Sequence, residues 1–113
     1  VTIYNAPAEP RIVSVASTST LSISSSATDQ SIITAQAEAL TIAAPTGTPV
    51  EGQKVIVRIK DDGSARAITF NAIFRAIGVT LPTTTVASKI TYLGLVYNST
   101  DTKWDIVATK TEA

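Results

Sequence analysis

The side chains able to do chemistry are few in kind and scattered in sequence. Serine and threonine hydroxyls are abundant, but the chain has no His and no Cys. The commonest general base, thiol catalysis and thiolate metal sites are therefore all missing. A nucleophile would have to borrow a lysine, and Lys54, Lys60, Lys89 and Lys110 all sit beside polar residues or at strand ends. Hydroxyls on solvent-facing strand positions are a stronger reading than a Ser–Lys dyad. Paired carboxylates for glycoside hydrolysis would come from Glu9, Asp29, Glu38, Glu51, Asp61, Asp62, Asp101, Asp105 and Glu112. Asp61 and Asp62 fall in DDGS, where Asp is wanted for local turn hydrogen bonds. Asn98, Asp101 and Asp105 offer oxygen ligands to a hard cation, but without the DxDxDG spacing of a calcium loop. The tripeptide Asn98-Ser99-Thr100 fits the glycosylation pattern, which is common by chance. Trp104, the one tryptophan, shares a strand face with Ile106 and Ala108. That continuity makes it a core residue and not a sugar-stacking platform. We expect no catalytic residues, no cofactor and no metal.

The elements that would position these groups read as strands. Alternation with period two marks RIVSVA, TLSIS, SIITAQ and ALTIAA from Arg11 onward, and it is clearest in QKVIVRIK. There Val55, Val57 and Ile59 share the core-directed face, while Lys54, Ile56, Arg58 and Lys60 share the wet one. PTGTPVEG (45–52), with two prolines and two glycines, is a loop, and Asp62-Gly63 predicts a tight primed turn joining QKVIVRIK to ARAITF as a hairpin. FNAIFRAIG (70–78) matches helical spacing but is short and rich in β-branched and aromatic residues, so it predicts a bent strand or a single helical turn. After a loop over 79–88, ITYLGLVY and KWDIVAT form a final hairpin whose Leu93 and Leu95 lie on the face opposite the inferred core. No internal repeat of fixed period is visible. The fold class predicted is all-β: an antiparallel, jelly-roll-like β-sandwich of about eight short strands.

A length of 113 residues and an apolar fraction of 44% suit a single core. Residues 1–10, with two prolines, predict an extended arm that either anchors on a neighbour or is a loose terminus, and residues 11–113 a single domain. Nine basic and nine acidic residues cancel, with no long block of either sign, which argues against nucleic acid as a partner. No run of about 18 apolar residues predicts a membrane span.

Within this frame the run from Leu40 to Ala108 resembles a module of small bacteriophage virion proteins that also occurs at the ends of phage tail and fibre proteins. GQKVIVRIKDDGSAR (52–66), GVTLPTTT (78–85) and YNSTDTKWDIVA (97–108) carry the likeness, which does not extend to residues 1–30. The resemblance implies a β-sandwich that assembles, often as a trimer, on a capsid or tail, and it implies no activity. The expected protein is then a virion component, put together in the host cytoplasm, that binds itself and a capsid or tail protein by head decoration or as a fibre-head module. Tyr4, Ile56, Leu93 and Leu95 are its candidate partner-binding residues. The alternative is a receptor-binding module that grips a host glycan or protein through loops 45–52, 61–64 and 98–103.

Overall fold

Period-two runs become strands wherever one side has a core to meet. The computed structural model describes residues 9–113, in which nine strands and no helix occur. They are β1 (Ile12–Val15), β2 (Thr20–Leu21), β3 (Gln30–Gln36), β4 (Leu40–Ile42), β5 (Lys54–Asp61), β6 (Ile68–Phe70), β7 (Phe74–Ala76), β8 (Ile90–Asn98) and β9 (Lys103–Thr111). A six-stranded sheet has the order β1-β3-β5-β8-β9-β7, and a three-stranded sheet the order β2-β4-β6. The all-β expectation holds. The antiparallel one does not, because the pairs β1–β3, β3–β5, β2–β4, β4–β6 and β7–β9 are parallel and only β5–β8 and β8–β9 are antiparallel.

The reason is the path of the chain. From β1 to β6 each strand of the large sheet is followed by one of the small sheet, and every return lies parallel beside its predecessor. The chain therefore winds as a coil of three turns, β1–β2, β3–β4 and β5–β6, with a parallel bridge between Ser24 and Thr46 along the side. Ile12 pairs with Gln30 and Gln30 with Ile56, so successive turns advance by 30 − 12 = 18 and 56 − 30 = 26 residues. The loop 45–52 lengthens the second turn, which hides the repeat from any search for a fixed period.

This winding also overturns the DDGS hairpin. β5 and β6 belong to different sheets, so the turn carries the chain across the core and does not fold it back on itself. Gly63 still has φ +135°, a conformation that disfavours a side chain. Gly63→Val is expected to lower stability by about 1–2 kcal/mol, to be measured by urea unfolding; an unchanged midpoint would show that this backbone relaxes freely. Residues 70–78 form the end of β6, a turn and β7, as the bent-strand reading expects.

Inward side chains of both sheets meet in one core containing Leu21, Ile33, Leu40, Ile42, Val57, Ile59, Leu93, Leu95, Trp104 and Ile106. Leu93 and Leu95 are thus corrected: they are 1% and 2% exposed and face the core. The β8 face that points outward carries Tyr92 instead. Phe70, Ile73, Val79 and Leu81 pack onto the core from the segment that follows the third turn.

Two buried polar groups sit at the corner where the chain leaves the large sheet. Gln36 is fully buried, and its Nε2 donates to the carbonyls of Thr18 and Glu38 at 2.7 Å each, tying the first turn to the second. Its register partner in the next turn is Asp61, 1% exposed. The Asp61 carboxylate accepts from the Thr85 hydroxyl at 2.6 Å, the Gly63 N–H at 2.8 Å and the Ser88 N–H at 3.0 Å. It holds Ser88 in the left-handed region, φ +61°, where a non-glycine residue needs such support.

Candidate functional site

The outer face of the large sheet is where the strand alternation leaves side chains without a core to fill. Register aligns Ile56 of β5 with Gly94 of β8 and Ala108 of β9, and alongside them Arg58 with Tyr92 and Lys110. Ile56 is 42% exposed and Tyr92 41%. The bulge between Gly94 and Leu95 skips Val107, which turns outward and adds to this face. At Gly94 the surface is kept low, since a Cβ there would stand 3.4 Å from the Cβ of Ala108. A shallow apolar floor of Ile56, Gly94, Ala108 and Val107 results.

Around that floor stand Lys54, Arg58 and Lys60 on β5 and Lys110 on β9. Ion pairs among the described residues use other cations, namely Arg11, Arg66 and Arg75. At the β7 side of the sheet the Arg75 Nε donates to Asp105 at 2.8 Å, and its second arm reaches Asp101 at 3.0 Å. Arg75 holds the Asp105 carboxyl below the ordinary carboxylate range by those hydrogen bonds, against partial burial. The acids at that edge are thereby neutralised, and the face as a whole is apolar in the middle and positive around it. Such a face suits contact with a flat, acidic protein surface.

Of the residues expected to bind a partner, Ile56 stands on this face, Leu93 and Leu95 lie beneath it in the core, and Tyr4 lies outside the described residues. Tyr92 and Val107 were missed. Alternation against Leu93 was a signal for the first, whereas the second depends on a bulge that spacing does not announce. Asn98, Asp101 and Asp105 do come together, but as partners of Arg75 and of each other. No group of three or more carboxylates, His or Cys among the described residues could hold a metal ion. Asp61, expected to make local turn hydrogen bonds, does so to the Gly63 N–H and is in addition the buried corner carboxylate. Loops 45–52 and 98–103 meet, with Glu51 accepting from the N–H and hydroxyl of Ser99 and the Gly52 N–H donating to the Tyr97 carbonyl. Loop 61–64 lies at the far end of β5 and takes no part. Trp104 is 1% exposed, as its apolar face predicts.

Fold and face together define an all-β module with a flat apolar and cationic sheet surface. Comparison with known protein families, with curated proteins and with solved structures returns no match.

Proposed function

We propose that the chain is a non-enzymatic structural module of a bacteriophage virion, which self-associates and docks on a capsid or tail protein as a head-decoration or fibre-head element. The trimeric state and the virion location follow from the resemblance of residues 40–108, and the two sheets facing one core are the form its β-sandwich would take here. The observation that carries the reading is the outer sheet face. Among the described residues, four of the nine exposed large apolar side chains, namely Ile12, Ile56, Tyr92 and Val107, lie on this face, and such concentration marks an association surface.

Ile56→Asp tests it, because an exposed strand position tolerates a charge with a stability change within about 0.5 kcal/mol. The variant is expected to melt like the wild type but to co-sediment less with virions or capsid shells, or to show a lower mass by gel filtration with light scattering. Equal binding and equal mass would remove this face from the function. A wild type that is monomeric at micromolar concentration and binds no particle would sink the reading itself.

The meeting of loops 45–52 and 98–103 favours a second reading, in which this end of the domain recognises a host glycan or protein. Specific binding of the isolated domain on a glycan array would promote it over assembly.

A further inference from the structure

The two ends of the coil are unlike. After the third turn, Phe70, Ile73, Val79 and Leu81 pack against the core. Before the first turn, β1 and β2 are edge strands of their sheets on the same side of the molecule. Val13 and Val15 register with Ser31 and Ile33, which are 3% and 0% exposed, so both valines point inward. They are nevertheless 46% and 38% exposed, and with Leu21, Ile23 and Thr28 they line an open cavity of about 210 Å³. Among the described residues nothing covers this part of the core, and a repeat protein whose last turn lacks a polar outer face is poorly soluble by itself.

The backbone at this edge is open too. Gln30 N–H donates to the Arg11 carbonyl, and in a parallel ladder that sets the odd residues of β1 toward β3. Ile12 and Ser14 then present their N–H and C=O groups outward. We infer that the first turn is an isologous interface, in which β1 pairs antiparallel with β1 of a second copy about a two-fold axis at Ser14. This deepens the self-association proposed above and rests on it.

The chemistry is self-complementary. With Ser14 opposite Ser14, each Val13 meets Val15 and each Ile12 meets Ala16 of the other copy, so only small or β-branched side chains are brought together. Arg11 comes opposite Ser17, whose hydroxyl donates to Glu38 at 3.1 Å. Arg11 already gives three N–H groups to Asp29 and Ser26, and a guanidinium has five, so it retains donors for that carboxylate across the axis. Antiparallel pairing thus sets the spare N–H donors of each Arg11 against the Ser17–Glu38 end of the other copy. The end face takes in β1 and the open cavity beside it, lined by Val13, Val15, Leu21 and Ile23, so the pairing of the two edges also covers apolar surface. It is separate from the outer sheet face, so it doubles whatever assembly that face makes.

Two substitutions test this in the full chain. Ser14→Pro removes one outward N–H and is tolerated on an edge strand in that orientation. The wild type is expected to show an even multiple of 11.8 kDa by light scattering, and the proline variant half that mass with an unchanged far-UV spectrum. Ser14→Cys is expected to form a disulfide-linked dimer as its main species under mild oxidation. Directly opposed residues of this kind have Cα atoms about 5.5 Å apart, within disulfide reach, and the chain has no other Cys. Thr34→Cys on the outer side of β3 is expected to stay uncross-linked. An oligomer whose mass is indifferent to Ser14→Pro would overturn the pairing while leaving self-association standing. Unchanged mass with lost particle binding would give the edge to a virion partner and overturn it as well. A monomeric wild type that assembles only after removal of residues 1–8 would give the edge to the chain's own N-terminal segment, and a wild type that never assembles would end both proposals.

Discussion

Trp104→Ala is expected to cost about 3–5 kcal/mol, a large part of the 5–15 kcal/mol that typically holds a domain together. The indole is 1% exposed, with the Tyr97 ring centroid 5.2 Å away and Phe74 as its register partner on β7. Its backbone N–H donates to the Ile73 carbonyl at 3.0 Å, so the residue joins the final hairpin to the segment that closes the coil. Truncation leaves a cavity between elements of the same rigid sheet, which have little freedom to collapse into it. Urea unfolding followed by circular dichroism measures the loss. A change under 1 kcal/mol would mean that the hairpin repacks. A stable variant that no longer adsorbs to host cells would place Trp104 in recognition and favour the receptor-binding reading.

Asp61→Ala is expected to be nearly as damaging, again about 3–5 kcal/mol, because it strips a buried anion from two backbone N–H donors with no other acceptor and leaves the Thr85 hydroxyl only a long contact to the Arg66 carbonyl. The Gly63 and Ser88 N–H groups lose their partner, the Thr85 hydroxyl loses its short bond, and Ser88 loses the contact that holds its left-handed backbone. Arg66 depends on it as well, since its Nε is buried without a hydrogen-bond partner and the Asp61 charge lies close by.

The same group sets an acid limit. Burial by itself would raise the Asp61 carboxyl, but the Thr85 hydroxyl, the two N–H donors and the Arg66 charge outweigh it and hold it below the ordinary value of 3.8. A carboxyl whose folded value lies below its unfolded one stabilises the fold fully above the unfolded value and loses that contribution as pH falls through the folded one. Asp29, held at about 2 by hydrogen bonds from Arg11, and Asp105 act in the same direction. The melting temperature of the wild type should therefore fall as pH drops below 3.8, and that of Asp61→Ala should fall less steeply over the same interval. Parallel curves would show that Asp61 is not the group responsible.

Local alternation by itself determined the strands and much of the core. Val55, Val57 and Ile59 alternate with polar or exposed neighbours, and a pleated strand sends such residues to opposite sides wherever it is placed. Trp104 was assignable for the same reason, as was the wet position of Ile56. Only the tertiary structure decided which strands pair. The sense of pairing is a property of the connection, and the turn 61–64 carries the chain over to the other sheet where spacing alone suggested a hairpin, as the loop 45–52 carries it back for β5. That crossing made the sheets largely parallel, while register with Val55 and Val57 of β5 put Leu93 and Leu95 on the core side. The crossing also put the turn residue Asp61 in a buried corner beside Gln36. The bare first turn was equally invisible in the residues of β1, for Val13 and Val15 have the alternation of any core strand. Their exposure arises because, among the described residues, no strand lies on the far side of β1, and a neighbour's absence is recorded only in three dimensions.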